Sequence, residues 1–225
     1  MRYLRAEPMV LVLSLLKAGL AVAGGIMTLI PLMASQLLSG SLSLGIGILY
    51  SARGLGAALG PLLVKRLFGE TASVLQWAIA GAFFLKAFSY LFIATTHNIW
   101  TLSLGVGLAT LFGSIIWVFS SALIHLSAPD HYLGRVFSFE LALLTLVMGC
   151  SNWGVGYAVD GWDMNVNQIA LWMAGLVIIP GILWSGFLVF LQNRFGQGEC
   201  VGSICPVDPS GFNPNPVTGD QSTKI

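Results

Sequence analysis

Long apolar stretches alternate with short polar breaks over most of this chain. A helix needs roughly 20 apolar residues to cross the hydrocarbon core of a bilayer. Six stretches have that length, so the pattern predicts six transmembrane spans at residues 9–33, 42–64, 74–94, 100–126, 136–159 and 169–191. The predicted fold class is therefore an all-α membrane protein.

The pattern changes at the end of the sixth span. The remaining sequence is rich in Gly, Pro, Asn and Ser, and it has too few apolar residues to bury a core of its own. We therefore predict two regions, a six-helix transmembrane domain at residues 1–192 and a disordered cytoplasmic tail at residues 193–225.

Composition supports a membrane location. Hydrophobic residues make up 56% of the chain and charged residues only 8%, whereas soluble domains have about 25% charged residues. The net charge of +1 gives no indication of nucleic-acid binding. The first apolar run exceeds the roughly 7–15 residues of a signal-peptide core, so we interpret it as a span. The lipid bilayer is the first expected partner.

The positive charges predict an orientation, because cytoplasmic loops are enriched in Lys and Arg. With six spans, the loops and termini that carry these residues all fall on one side, and the loops on the other side contain none. We predict an integral protein of the inner or plasma membrane with both termini in the cytoplasm. The residues that define this side are Arg2, Arg5, Lys65, Arg66, Arg135 and Arg194.

Polar residues share one face in three of the spans, at helical steps of three and four. Such stripes have two interpretations: close packing of helices through small and hydroxyl residues, or the wall of a polar substrate cavity. The candidates for a cavity or substrate path on these stripes are Lys17 and Thr28 in the first span, Ser103, Thr110, Ser114 and Ser121 in the fourth, and Asn152 in the fifth.

Charged residues inside the spans are few and unbalanced. Lys17, Arg53 and Lys86 are cations, and Glu140 is the one acid. Each charge near a helix centre costs roughly 2.5–3.5 kcal/mol on insertion scales, and in the folded protein it needs a partner or water. Glu140 is a candidate for a charge pair, with an intramembrane cation or with Arg135, or for proton coupling.

The two other cations, Arg53 and Lys86, are predicted to lie in different surroundings. Arg53 shares a face with Gly56 and Gly60, so we expect it to point into the helix bundle, and we add it to the candidates for the substrate path. Lys86 is expected to extend partly toward the outer interface. At least two cations have no acidic partner within the six spans, so their counter-charges come from other helices, an anionic substrate or water.

Several segments resemble the second half of a major facilitator superfamily transporter. These are "RYLRAEPMVLVLSLLKA", "LYSARGLGAALGPLLVKRLFG" and "SAPDHYLGRVFSF". The last segment is similar to the cytoplasmic turn before the fifth helix of that half, and Pro129, Asp130, Gly134 and Arg135 carry the motif. The resemblance is closest to the exporter-like branch that includes siderophore and macrolide efflux proteins.

This resemblance implies half of the family's fold, a 3+3 inverted repeat. It implies that the first and fourth spans line the cavity and that the third and sixth are peripheral. The family's signature loop is degenerate here, because Val64 and Leu67 replace its Asp and second Gly. A complete carrier of this kind has twelve helices, so the expected partner is a missing N-terminal six-helix half or a second copy.

The predicted function is transmembrane efflux of a small molecule as the second half of a secondary transporter. The alternatives are a non-transporting membrane remnant or scaffold, and a half-length homodimeric carrier. Motifs of hydrolases, zinc proteases and P-loop enzymes are missing from the sequence, so we do not expect an enzyme. The three cysteines have no nearby histidine to complete a ligand set, so we expect no metal or cofactor.

Overall fold

The computed structural model describes residues 8–38, 40–68, 72–127 and 130–195, and this part of the chain is helical apart from short connections. Six segments are long and apolar enough to cross a membrane, which confirms the predicted number of spans. The elements are α1 (Pro8–Val22), a 3₁₀ turn (Gly25–Leu29), α2 (Ile30–Leu37), α3 (Leu42–Phe68), α4 (Ala72–Ala94), α5 (Ile99–Ser127), α6 (Asp130–Trp162) and α7 (Val166–Phe195).

The start of α6 differs from the prediction, on the side assigned to the cytoplasm. Helix α6 begins at Asp130, so Gly134 and Arg135 lie in its first turns rather than in a loop, and both are exposed. Pro129 lies outside the described residues, as does the tail beyond residue 195.

The first span is one continuous helix in the sequence prediction, but the structure breaks it. Helix α1 ends at Val22, a 3₁₀ turn follows, and α2 begins with Pro31 in its first turn. Pro31 has no backbone N–H to continue the α-helical ladder. Gly25 allows the backbone of the 3₁₀ turn to approach α6 closely, since a methyl group at this position would lie 2.9 Å from the carbonyl oxygen of Ser151.

Two hydroxyl groups bind the backbone that this break releases. The Tyr90 hydroxyl, on α4, donates to the carbonyl oxygen of Ala23 at 2.8 Å. The Ser151 hydroxyl, on α6, donates to the carbonyl oxygen of Val22. A bilayer core offers no water for freed carbonyl groups, so irregular backbone at this depth needs such partners from neighbouring helices. The break is therefore tied to both α4 and α6.

Replacing Tyr90 with Phe tests this tie. The Ala23 carbonyl would lose its buried donor, so we expect the free energy of unfolding to fall by about 1–3 kcal/mol. The measurement is unfolding in detergent micelles followed by circular dichroism. Tyr50→Phe is the matched control, because Tyr50 is 47% exposed. Equal stability of the two variants would contradict this role for Tyr90.

The helices pack unequally around α5. Helix α3 packs along one side of α5 and α4 along another, while α7 packs on α4. Helix α1 lies against α6, α5 and α7. The first span is the most buried, with 67% of its most apolar window inside the bundle, against 17% for the second and fifth spans. Cys150, on the fifth span, is therefore exposed.

The third and sixth spans were expected at the periphery. The third span is half buried and contacts both the fourth and the sixth, whereas one third of the sixth is buried. Phe83 and Tyr90 of α4 are fully buried. Trp184 of α7 is also buried, and its indole N–H donates to the Gln76 carbonyl oxygen at 3.1 Å. These two spans pack against each other within the described structure.

Candidate functional site

An ion pair lies inside the bundle between the first and fifth spans. The Lys17 ammonium on α1 contacts the Glu140 carboxylate on α6, and the side chains are only 3% and 4% exposed. Sequence analysis left the partner of Glu140 open between Arg135 and an intramembrane cation. In the structure the partner is Lys17, while Arg135 lies on an exposed part of α6.

The fourth span completes the surroundings of this pair. The Lys17 ammonium donates a hydrogen bond to the Ser121 hydroxyl at 2.7 Å, and Ser121 donates to the carbonyl oxygen of Trp117 at 3.0 Å. The ammonium also lies 5.4 Å from the ring centroid of Trp117 and 5.8 Å from that of Phe137. Aromatic faces stabilise a desolvated cation. Three spans therefore converge on one charge.

Glu140 is less well satisfied than Lys17. One carboxylate oxygen contacts the Lys17 ammonium, and the other has no hydrogen-bond partner among the described residues. A buried carboxylate normally uses its lone pairs fully, since desolvation without hydrogen bonds is costly. The free oxygen of Glu140 can accept a proton, or it can accept a hydrogen bond from a donor group of a ligand. This cluster of Lys17, Glu140 and Ser121 is the candidate site.

Lys86 does not extend to the outer interface, so that prediction is wrong. Its side chain is 6% exposed, and the ammonium donates to the carbonyl oxygen of Ala109 on α5 at 3.2 Å. It also lies 5.3 Å from the ring centroid of Tyr90. A methyl group on Gly113 would lie only 2.8 Å from the ammonium, so this glycine makes room for the charge.

Arg53 is half-buried, and its guanidinium lies 5.8 Å from the ring centroid of Tyr50. Gly56 and Gly60 face α5. Residues three and seven apart on a helix are rotated by only about 60° and 20°, so Arg53 shares a side of α3 with both glycines. Among the described residues, no acidic side chain forms an ion pair with Arg53.

The hydroxyl stripe of the fourth span is mostly engaged in local bonds. Thr110 and Ser114 are half-buried, and they donate to the carbonyl oxygens of Val106 and Leu111, both at 2.8 Å. Ser114 also lies against Gly60 of α3. Ser103 is half-buried near the start of α5. The structure thus uses part of this stripe for packing and only Ser121 in the candidate site.

Two other predicted residues lie apart from the ion pair. Thr28 is exposed in the 3₁₀ turn and donates to the carbonyl oxygen of Gly25 at 2.7 Å. Asn152 lies on α6, and its side-chain oxygen is buried without a hydrogen-bond partner among the described residues. The break in the first span rotates Thr28 away from the face of Lys17. The seven stripe residues therefore do not form one continuous surface.

Sequence analysis missed Tyr90 and Ser151, which bind the helix break. Tyr90 resembles an ordinary apolar core position in the sequence. The pair Gly24–Gly25 followed by Pro31 was the available signal for a break, and a break requires hydrogen-bond donors from neighbouring helices.

A cavity of about 350 Å³ lies at the end of the bundle where α2 and α4 end and α7 begins. Its lining is largely uncharged, and none of the predicted substrate-path residues belongs to it. The polar residues of the lining are Gln36, Thr96, His97, Asn165, Asn167 and Gln168. Among the described residues, no group of three His, Cys, Asp or Glu side chains forms a metal site.

Comparisons with known proteins give no relative. No family model, no curated protein and no solved structure matches the chain.

Proposed function

We propose that the chain is one six-helix half of a secondary transporter that exports a small molecule, built as the second half of a major facilitator superfamily carrier. The observation that carries this proposal is the buried Lys17–Glu140 pair at the junction of three spans. Ionisable groups inside membrane spans are costly, and they commonly mark substrate, ion or proton pathways.

The broken first span supports the proposal. Many secondary transporters bind substrate near discontinuous helices at the repeat interface and work by rocking one unit against another. Here the break at residues 22–25 follows Lys17 by little more than one turn, and hydroxyl bonds tie it to α4 and α6. A rearrangement at the ion pair on α1 can therefore displace the neighbouring helices α4, α5 and α6.

A second six-helix unit is part of the proposal. The second and fifth spans are the least buried, and none of the predicted substrate-path residues lines the 350 Å³ cavity. A partner half, or a second copy, would cover these spans and close a central cavity. A non-transporting scaffold would use the same exposed spans to bind other membrane proteins, and transport assays distinguish it.

In the proposed orientation, the chain lies in the inner or plasma membrane and both of its termini are in the cytoplasm. Lys65, Arg66 and Arg135 would then lie on the cytoplasmic side, together with the Pro129–Arg135 segment. The export direction derives from the resemblance to exporter-like sequences.

The test is efflux from bacterial cells that lack their own macrolide and siderophore exporters. The chain is expressed alone and together with any six-span segment encoded immediately upstream. The probes are radiolabelled erythromycin and a catecholate siderophore. We expect lower accumulation of at least one probe, and loss of that effect in Glu140→Gln, which removes the charge but keeps the volume. Unchanged accumulation in every combination would reject the transport proposal.

Arg53→Leu is a separate prediction for the same assay. The substitution removes a costly charge from a span, so membrane insertion should remain intact. We expect efflux to fall at least about tenfold if Arg53 binds a group that moves or aligns during transport. Arg66→Leu, at the end of the same helix, is the matched control. Equal efflux by Arg53→Leu and wild type would remove Arg53 from the mechanism.

A further inference from the structure

Two cations lie near each other where α3, α4 and α5 meet. Arg53 of α3 is half-buried, and its charge acts on the buried ammonium of Lys86 on α4. It also acts on the buried hydroxyl of Tyr90, one turn further along α4. We call Arg53 and Lys86 the cation pair. Two like charges repel each other, and they do so more strongly inside a membrane protein than in water.

The described part of the chain supplies no carboxylate to balance the cation pair. Helices α3, α4 and α5 contain no Asp or Glu. Glu140 on α6 is buried against Lys17, and α6 packs on α1, the 3₁₀ turn and α7 rather than on α3 or α4. The other described acids lie at the ends of α6. The counter-charge of the cation pair therefore comes from outside the described residues.

Neutral groups satisfy the cation pair only in part. The Lys86 ammonium has three donors, and its hydrogen bond to the Ala109 carbonyl oxygen, at 3.2 Å, uses one of them. The Arg53 guanidinium has five N–H donors, and it donates no hydrogen bond to a described residue. Its one contact is with the ring of Tyr50, whose centroid lies 5.8 Å away. Arg53 thus has donors free to bind an acceptor.

The depth of Arg53 excludes lipid headgroups as that acceptor. Arg53 lies one residue from the midpoint of the apolar span Leu42–Arg66. At 1.5 Å per residue, both ends of the span are about 16–20 Å away along the helix axis. That distance is far greater than the reach of an arginine side chain, so headgroup phosphates cannot contact the guanidinium. The anion must enter the bundle to reach it.

The side of α3 that carries Arg53 is already covered by a helix. Arg53 is rotated by only about 60° from Gly56 and about 20° from Gly60. A methyl group on either glycine would overlap a backbone carbonyl oxygen of α5. A further transmembrane helix has no room where α3 and α5 are this close, whereas a small anion can approach the half-buried Arg53 side chain. The geometry therefore favours a small anion over an acidic helix.

We infer that the cation pair is a binding site for a small organic anion, in which Arg53 contacts a carboxylate or phosphate group and Lys86 strengthens the attraction from inside the bundle. The planar guanidinium fork matches both groups, because it can donate two parallel hydrogen bonds to their oxygens. The Tyr50 ring beside Arg53 favours an anion with an apolar body. This site is separate from the Lys17–Glu140 cluster, and the inference does not require that the chain transports anything.

The experiment measures the midpoint of thermal unfolding of the full chain in a nonionic detergent, followed by tryptophan fluorescence. The probes are cyclohexanecarboxylate and cyclohexyl phosphate, and the neutral control is cyclohexanecarboxamide. Sodium chloride at equal ionic strength is the salt control. Each probe is used up to about 20 mM, above the millimolar Kd expected for one charged contact. A ligand of the folded state raises the midpoint with concentration, which gives its Kd. We expect at least one anion to bind at least about tenfold more tightly than the amide.

Variants assign this binding to the cation pair. Arg53→Leu should bind the anions no more tightly than the amide. Lys86→Met keeps most of the side-chain volume, and it should weaken anion binding at least about threefold. Arg66→Leu is the matched control, because Arg66 is exposed at the end of the same helix, and it should bind as wild type does. Circular dichroism verifies that each variant keeps its helical content.

Three results would overturn the inference. The first is equal binding of both anions and the amide to the wild-type chain. The second is unchanged anion binding in Arg53→Leu. The third is an equal rise of the midpoint with sodium chloride, since the chain would then respond to any anion or to salt itself. None of these measurements depends on transport, so the efflux assay tests the proposed function separately.

Discussion

Replacing Lys17 with Met is expected to lower the free energy of unfolding by about 3–5 kcal/mol, because the buried Glu140 carboxylate would lose its only partner among the described residues. Ser121 would also lose the ammonium that donates to it at 2.7 Å. The measurement is unfolding of the purified chain in detergent micelles, followed by circular dichroism and by the fluorescence of its tryptophans. We expect this to be the largest effect of any single charge removal in the bundle.

The double variant Lys17→Met, Glu140→Leu separates the pair from its surroundings. Both side chains would then be apolar and of similar volume to the originals, so most of the lost stability should return. A double-mutant cycle with Glu140→Leu alone gives the coupling free energy between the two positions. If Lys17→Met were as stable as wild type, the ion pair would not exist in the folded protein.

Replacing Gly56 with Ala is expected to destabilise the chain by about 1–3 kcal/mol or more, because the new methyl group would overlap the backbone of α5 at Gly107. Backbone atoms cannot move aside as a flexible side chain can. The helices α3 and α5 would have to separate, and their close packing is the most extensive contact between two elements of the structure. The measurement is again unfolding in detergent micelles.

Gly54→Ala is the matched control, two residues away in the same helix. Its methyl group would meet nothing within 4 Å. We expect Gly54→Ala to be neutral or to stabilise the chain by up to about 1 kcal/mol, since alanine favours helix more than glycine does. Equal stability of the two variants would contradict the close approach of α3 to α5.

Much of the fold could be predicted from the sequence. Apolar length determines the six spans, because a bilayer core of fixed thickness demands roughly 20 apolar residues per helix. The pair Gly56 and Gly60 indicated a close helix contact, although the sequence did not name α5 as the partner. The start of α6 was misplaced by several residues, because a polar segment can be helical where it leaves the membrane.

The candidate site could be predicted only in part. Lys17, Glu140 and Ser121 are recognisable as polar positions inside spans, and each was a candidate. Which acid pairs with which base depends on how α1, α5 and α6 are placed around each other. Helical periodicity gives the face of a residue on its own helix and nothing about the helix opposite.

By itself, the sequence determined that this chain is helical, that six of its segments are long and apolar enough to span a membrane, and that these segments carry more cations than acids. Hydrophobic length and charge counts are properties of single segments, so they can be obtained from the sequence without knowing how the helices pack. The tertiary structure alone decided that Lys17 pairs with Glu140 and that Lys86 is buried against Ala109. The partner of a buried charge is a backbone or side-chain group that helix packing places within a few ångströms of it, so it depends on the tertiary structure.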